Sequence, residues 1–238
     1  MANEPGSEAE GLRDLLAQAA ALGKVERVRD LLGRGAPARG HGAAGGSTPW
    51  SGYTSLMVAC YCGQLPAARI LLEAGADPRE RGASGDTPLG VSCARGRADC
   101  VDALLAAGAD FEGADRQGRS ALRMACEAAR EDIVATLLAA GADPGSRDDL
   151  GNSPSMAAVA SGSRACLALL AAAGADFDTA GWSDGPLLDF ARSGAHWADV
   201  AGWLEAADLA RRERLALEAE RLRAAESGEG AGSGSGRL

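Results

Sequence analysis

The triplet Gly75-Ala76-Asp77 decides the fold, because it returns three times along the chain at a constant interval of 33 residues. A leucine stands four residues before the glycine of every copy, and a further glycine or an alanine stands twelve residues before it. The four copies are Gly75-Ala76-Asp77, Gly108-Ala109-Asp110, Gly141-Ala142-Asp143 and Gly174-Ala175-Asp176. A fixed period of this length is typical of a repeat architecture.

Each 33-residue unit predicts a helix, a turn and a second helix. A glycine turn precedes a Thr or Ser whose hydroxyl can cap a helix N-terminus. Pro88 and Pro154 follow two of these caps, at the first helical position, where the missing N–H costs nothing. The capping residues are Thr54, Thr87, Ser120 and Ser153. The glycines that follow each predicted helix fit left-handed C-caps.

These units resemble the ankyrin repeat family, whose 33-residue repeat carries a T-P-L-H-x-A signature. The corresponding segments are Thr54-Ser55-Leu56-Met57-Val58-Ala59, Thr87-Pro88-Leu89-Gly90-Val91-Ser92, Ser120-Ala121-Leu122-Arg123-Met124-Ala125 and Ser153-Pro154-Ser155-Met156-Ala157-Ala158. The family's His, which helps to tie neighbouring repeats together, is replaced every time, by Met57, Gly90, Arg123 or Met156. The resemblance implies an all-α, ankyrin-type helix-turn-helix solenoid of about six repeats, including degenerate terminal caps.

The resemblance extends over roughly residues 10–208, because degenerate units flank the four clear ones. Gly23 lies twelve residues before Gly35, and Gly194 lies twelve before the altered triplet Ala206-Ala207-Asp208. Atypical ends are expected, since terminal repeats must close the exposed core. We therefore expect a disordered segment over 1–9, the repeat domain over 10–208, a helical extension over 209–226 and a disordered Gly/Ser tail over 227–238.

Two irregular segments leave alternatives open. Between Gly35 and Gly75 the step is 40 residues, and the extra residues fall within 36–51. This insertion is either a partner-grasping loop or a tolerated surface lengthening, which costs under about 1 kcal/mol. The extension over 209–226 is either a solvated cap or a helix that docks a partner on the stripe of Leu204, Leu215 and Leu222.

Composition and charge exclude several classes of partner. Apolar residues make up 46% of the chain but aromatic ones only 4%, which favours closely packed helices. The net charge of −9 argues against sequence-independent binding to nucleic acid or an anionic membrane. No apolar run reaches the ~18 residues of a membrane span. We expect a soluble intracellular protein, cytoplasmic or alternatively nuclear.

The sequence offers no pattern for catalysis, and we expect no catalytic residue, cofactor, metal site or small-molecule substrate. The two histidines, His41 and His196, fall near opposite ends of the predicted stack. Carboxylate pairs such as Asp148-Asp149 fall in turns, where they are turn-forming residues more often than an acid–base pair. The cysteines recur at repeat-equivalent positions: Cys60, Cys93 and Cys126 in first helices, and Cys100 and Cys166 in second helices. Stacked helices lie about 8–10 Å apart, too far for a disulfide, so these thiols are expected to stay reduced.

A solenoid presents an extended concave face built from its turns and first helices. In the ankyrin-like register, three aromatic and three basic side chains fall on that face. They are Trp50, Tyr53 and Tyr61 with Arg95, Arg116 and Arg119, and Trp182 joins them in the terminal repeat. Because Trp, Tyr and Arg are enriched at interface hot spots, we predict that the aromatic residues anchor a partner protein and the arginines pair with its carboxylates. Trp50 and Trp182 can alternatively pack on their own loops as caps.

The predicted function is a protein–protein interaction module, acting as a scaffold or adaptor through its concave face. Two alternatives stay open: a permanent structural or assembly subunit of a larger complex, and a non-catalytic regulatory subunit of an enzyme. The identity of the partner does not follow from the fold.

Overall fold

The computed structural model describes residues 5–40, 50–113 and 115–175, together with Gly202, Leu217 and Arg221. Within these ranges every regular element is a helix, and ten helices follow one another in pairs. They are α1 (Pro5–Ala21), α2 (Val25–Gly33), α3 (Ser55–Tyr61), α4 (Leu65–Glu73), α5 (Pro88–Ala94), α6 (Ala98–Ala106), α7 (Ala121–Glu127), α8 (Glu131–Ala139), α9 (Pro154–Ala160) and α10 (Arg164–Ala172). The predicted all-α fold is therefore confirmed.

The helices form two layers. The first helices of the pairs, α1, α3, α5, α7 and α9, contact one another in order and make the inner layer. The second helices, α2, α4, α6, α8 and α10, make the outer layer in the same order. Packing is closer in the inner layer, as expected for the concave side of a solenoid. Five of the predicted repeats lie in this part of the chain.

The inner helices of the four clear repeats begin at the predicted hydroxyl caps. Thr54 Oγ1 accepts a hydrogen bond from the Met57 backbone N–H at 3.1 Å. The hydroxyls of Thr87, Ser120 and Ser153 accept the equivalent bond from the residue three positions further on. Each cap satisfies one of the backbone donors that a helix N-terminus leaves unpaired.

Every residue of the repeated triplet has a separate physical role. Gly75 ends α4 in the left-handed region, at a φ of 87°, which glycine adopts without a Cβ clash. Ala76 is buried against the core. Asp77 Oδ1 accepts a hydrogen bond from the Arg79 backbone N–H at 2.9 Å, which closes the following turn. The same aspartate turn recurs at Asp110 and Asp143.

The core is one continuous cluster that runs through the described repeats, from Leu16 in α1 to Leu170 in α10. The leucine four residues before each triplet glycine is fully buried in every repeat: Leu71, Leu104, Leu137 and Leu170. Residues of one helix pair complete the apolar environment of the next pair, so no pair can bury its apolar side alone.

Polar bonds between neighbouring repeats supplement the apolar packing. Arg79 Nε donates to the carbonyl oxygen of Gly108 at 2.8 Å, and Arg39 Nε donates to that of Gly75 at 2.9 Å. Ser161 Oγ donates to the Cys126 carbonyl at 2.8 Å. These bonds satisfy carbonyls at helix ends, where the helix itself supplies no donor.

The N-terminal boundary differs from the expectation. Helix α1 begins at Pro5, so it includes residues 5–9, which the sequence was expected to leave disordered. Proline is accepted in the first turn of a helix, so Pro5 is compatible with this start. The degenerate unit at Gly23 and Gly35 forms the predicted pair α1–α2. Apart from Gly202, Leu217 and Arg221, the predicted terminal repeat, the extension over 209–226 and the tail over 227–238 lie outside the described residues.

One inner-helix stop lacks its glycine. Gly63, Gly96 and Gly162 follow α3, α5 and α9 with φ between 64° and 70°, whereas Ala129 follows α7 with a φ of 52°. A Cβ in this left-handed conformation lies too close to the following carbonyl oxygen and costs about 1–2 kcal/mol. The turn between α7 and α8 is therefore strained.

We expect Ala129→Gly to raise the free energy of unfolding by about 0.5–1 kcal/mol, since the relief of strain exceeds the added chain entropy of glycine. The matched control is Gly162→Ala, where an added Cβ meets nothing within 4 Å, so that backbone strain alone lowers stability. Urea unfolding followed by circular dichroism measures both variants. A lower free energy of unfolding for Ala129→Gly would contradict the claim that Ala129 strains this turn.

Candidate functional site

Three of the predicted anchor residues come together at the inner face. Trp50 and Tyr53 lie in the turn before α3, and Tyr61 is the last residue of that helix. The Tyr61 ring lies edge-on to both others, with centroid distances of 5.4 Å to Trp50 and 6.2 Å to Tyr53. Edge-to-face rings attract one another. We call Trp50, Tyr53 and Tyr61 the aromatic cluster.

Arg95 joins this cluster from the next repeat. Its guanidinium carbon lies 4.0 Å from the centroid of the Tyr61 ring, a cation–π contact, and the guanidinium also donates to the Tyr61 hydroxyl. Arg95 caps the C-terminal end of α5 and is exposed. Its charge is therefore held in a fixed place while it remains accessible from solvent.

A groove of ≈ 330 Å³ separates the aromatic cluster from the third clear repeat. Its apolar lining comes from α5, from α7 and from the residue that follows α7: Gly90, Val91, Ala94, Met124 and Ala128. Its polar and aromatic lining consists of Tyr53, Tyr61, Asp86, Arg95, Arg119 and Glu127. An apolar floor with a few polar groups at the rim is typical of a binding site. We call this depression the inner groove.

The inner groove exists partly because Gly90 stands where the T-P-L-H-x-A signature has its His. A Cβ at Gly90 would lie 3.1 Å from the sulfur of Met124, so even an alanine would press on the groove floor. A larger side chain would occupy the space itself. The departure from the family signature that the sequence shows therefore shapes this part of the concave face.

The other two predicted arginines are engaged within the chain. Arg116 donates to the carbonyl oxygen of Ala83 in the preceding turn. Arg119 lies 2.7 Å from Asp115, whose side chain is only 4% exposed, and 3.9 Å from Glu127. One common role was predicted for Arg95, Arg116 and Arg119, but their contacts differ. Neither Arg95 nor Arg116 pairs with a carboxylate among the described residues, and of these two Arg95 is the one that lines the inner groove.

Arg119 belongs to a chain of ion pairs that sequence reasoning did not identify. Glu127 lies 3.6 Å from Arg123, and Arg123 lies 3.4 Å from the buried carboxylate of Asp148. Two buried arginine nitrogens, Arg123 Nε and Nη1, have no hydrogen-bond partner in the described structure. The sequence does contain a signal for the two aspartates of this network: Asp115 and Asp148 are 33 residues apart, and both precede a turn glycine by three positions.

Asp115 and Asp148 are the fixed charges of this network. Burial raises the pKa of Asp115, but hydrogen bonds from the Arg119 side chain and from backbone N–H groups outweigh it and lower the pKa overall. Burial likewise raises the pKa of Asp148, and bonds from Asn152 outweigh it. Both carboxylates accept backbone N–H bonds two and four residues further on. The interpretation of Asp148 as a turn-forming residue is confirmed.

Tyr53 keeps its proton at neutral pH. Burial raises its pKa, and the nearby carboxylate of Asp86 raises it further. The hydroxyl therefore remains a neutral group that can donate a hydrogen bond into the inner groove.

The remaining predicted features are placed as follows. All six cysteines are free thiols, as expected. Side-chain hydrogen bonds link Cys60 with Cys100 and Cys126 with Cys166, across neighbouring repeats. Burial raises the pKa of Cys93, which keeps this core thiol protonated. Trp182 lies outside the described residues.

None of the helices in the described part of the chain combines the length and the apolarity needed to cross a membrane. Within those same ranges, no three His, Cys, Asp or Glu side chains converge as a metal site requires.

Comparison with known families agrees with the geometry. A stack of paired helices with a lined concave face defines the class of helical repeat proteins. A family profile described as "Ankyrin repeats (3 copies)" matches residues 79–148, and one described as "Ankyrin repeats (many copies)" matches residues 41–91. The chain is an ankyrin repeat protein. A search of curated proteins finds no match.

The contacts predict different consequences for two arginines of the inner groove. Arg119→Ala leaves the carboxylate of Asp115 buried without its cation, so we expect the free energy of unfolding to fall by about 1–3 kcal/mol. Arg95→Ala removes an exposed side chain and should change stability by about 0.5 kcal/mol or less. Urea unfolding of both variants tests this. Equal effects would show that Arg119 is not a structural residue.

The lowered pKa values of Asp115 and Asp148 predict acid sensitivity. An unfolded aspartate titrates near pH ~3.9. Their stabilisation is complete above that pH and is lost as the pH falls through the lower folded-state pKa. We expect the urea midpoint to drop as the pH falls below about 4, and to drop less in Asp115→Asn, which cannot titrate. An equal fall of the urea midpoint in wild type and in Asp115→Asn would contradict a stabilising role for the ionised Asp115.

Proposed function

We propose that the protein binds another protein through its inner face, as a scaffold or adaptor. Ankyrin repeats are generally protein–protein interaction modules. The observation that carries the proposal is the aromatic cluster, with Arg95 stacked on Tyr61, at the wall of the inner groove. Six free thiols suit a protein that works in the reducing interior of the cell.

The arrangement has the properties of an interface hot spot. Tyrosine, tryptophan and arginine supply most binding energy where they surround a pocket that a partner fills and from which it excludes water. Here the ring contacts hold Tyr61 between Trp50 and Arg95 before any partner arrives. Side chains that are already ordered lose less conformational entropy on association, which favours affinity.

The inner groove fits one large side chain of a protein better than a separate small molecule. Its volume of ≈ 330 Å³ lies near the lower limit of the roughly 300–1,000 Å³ of small-molecule sites. The apolar floor around Val91 and Met124 suits an apolar side-chain body. Arg95 at the rim suits a neighbouring carboxylate of the same partner, because it lacks one in its own described surroundings.

The test is quantitative affinity purification with mass spectrometry from the source cell, with wild type, Tyr53→Ala/Arg95→Ala and the control Arg69→Ala. Arg69 is exposed on outer helix α4, away from the inner groove. We expect partners recovered with wild type to fall at least about tenfold with the double variant, a loss of ~1.4 kcal/mol or more. Recovery should be unchanged with Arg69→Ala.

Unchanged partner recovery with Tyr53→Ala/Arg95→Ala would refute the inner face as the binding surface. Size exclusion of the native protein from cell extract separates the alternatives. A permanent subunit elutes entirely within one assembly, whereas an adaptor also has a free pool.

A further inference from the structure

An apolar groove that the proposed function does not use lies at the N-terminal end of the stack. It has a volume of ≈ 690 Å³, and most of its lining is carbon. One wall consists of Leu15 and Gln18 of α1 with Leu22 directly after the helix, and the other contains Trp50 and Cys62. We call it the α1 groove.

Helix α1 is apolar on two sides, whereas a surface helix needs only one. Leu16, Ala19 and Ala20 are buried and pack on the core of the stack. Leu15 lies on this helix, and Leu22 follows it directly, with its N–H still bonded to the Gln18 carbonyl, so the two leucines, seven residues apart, lie on one side; they are 43% and 59% exposed. A surface helix is expected to turn polar residues to solvent on the side away from the core. The second apolar stripe therefore needs another explanation.

The neighbouring insertion cannot fill the α1 groove with large apolar side chains. Residues 41–49, which lead directly to Trp50, are His, Gly, Ala, Ala, Gly, Gly, Ser, Thr and Pro. None of them is a leucine, isoleucine, valine, methionine, phenylalanine or tryptophan, so this segment supplies no large apolar side chain.

We propose that the α1 groove binds an amphipathic helix of a partner protein, one with leucine-type residues on one side and Arg or Lys beside them. The stripe from Gly11 to Leu22 is about 16 Å long, which matches three turns of such a helix. Its apolar residues, spaced at i, i+3 or i+4 and i+7, contact Leu15, Leu22 and Trp50.

Charge selects a basic partner. Asp14 lines the α1 groove, and Glu10 is exposed one turn earlier on the same helix. The whole chain carries a net charge of −9, which attracts a cationic helix and speeds its association. A second copy of this chain is the poorer occupant, because its own α1 brings the same carboxylates, Asp14 and Glu10, to the interface and two chains of net charge −9 repel each other.

The α1 groove adjoins the aromatic cluster, since Trp50 belongs to both. A partner on the inner face can therefore continue into the α1 groove without leaving the protein surface. Apart from Trp50, however, the two sites share no residue, so each can be disabled alone.

The experiment uses the full chain and a labelled synthetic helix of about 15 residues with a leucine stripe flanked by arginines. A second peptide has the same leucines and glutamates in place of the arginines. Fluorescence anisotropy is measured with wild type, Leu15→Glu/Leu22→Glu, Tyr53→Ala/Arg95→Ala and the control Leu150→Glu. Leu150 is 83% exposed in a distant turn, so it offers the same substitution outside the groove. Circular dichroism and urea unfolding check that each variant is folded.

We expect saturable binding of the basic peptide to wild type and to Leu150→Glu, weakened at least about tenfold by Leu15→Glu/Leu22→Glu and by added salt. The acidic peptide should bind at least about tenfold more weakly than the basic one. Retained binding by Tyr53→Ala/Arg95→Ala would separate this site from the inner groove.

Three results would overturn the proposal: no saturable binding of the basic peptide to wild type, equal binding of the two peptides, or unchanged affinity in the folded Leu15→Glu/Leu22→Glu variant. Size exclusion with light scattering adds a fourth. A wild-type dimer that Leu15→Glu/Leu22→Glu converts to a monomer would assign the α1 groove to a second copy instead.

Discussion

The whole structure depends on the inability of one helix pair to bury its own apolar side. Inner helices of seven residues are too short to be stable alone, and each is held by the inner helices before and after it. The Leu71 position and its equivalents are buried because four repeats supply the same leucine at the same height. Local bonds at Thr54 and its equivalents then set where each helix begins. Packing provides the stability, and the caps provide the register.

The contrast between packing, which acts between repeats, and capping, which acts within a few residues, explains what could be predicted from the sequence. Caps, glycine stops and the aspartate turns act within a few residues, so Thr87, Gly96 and Asp110 show their roles in the sequence itself. The partners of long side chains come from the neighbouring repeat, and the sequence does not display them. Arg95 and Arg119 fall on the same predicted face, yet one stacks on Tyr61 and the other pairs with Asp115. The start of α1 was missed because its unit lacks the repeat signature.

The concave face shows how a regular scaffold acquires an individual surface. The four positions of the family's His hold Met57, Gly90, Arg123 and Met156. Gly90 leaves space for the inner groove, whereas Arg123 fills the equivalent place with a cation that lies 3.4 Å from Asp148. The face is therefore open and aromatic beside the second clear repeat and closed by ion pairs beside the third. Fold-level similarity does not specify such differences, and they decide what can bind.

The strained alanine after α7 has a consequence for the mechanics of the stack. In a linear array each repeat is coupled only to its neighbours, so a weakness in one junction is not compensated elsewhere. Ala129 lies between α7 and α8, where the left-handed turn is least favourable among the equivalent junctions. We therefore expect the pair α7–α8 to be the first of the described clear repeats to loosen under tension or partial denaturation. The aromatic cluster and the α1 groove lie on the repeats before this pair, so such loosening leaves them in place.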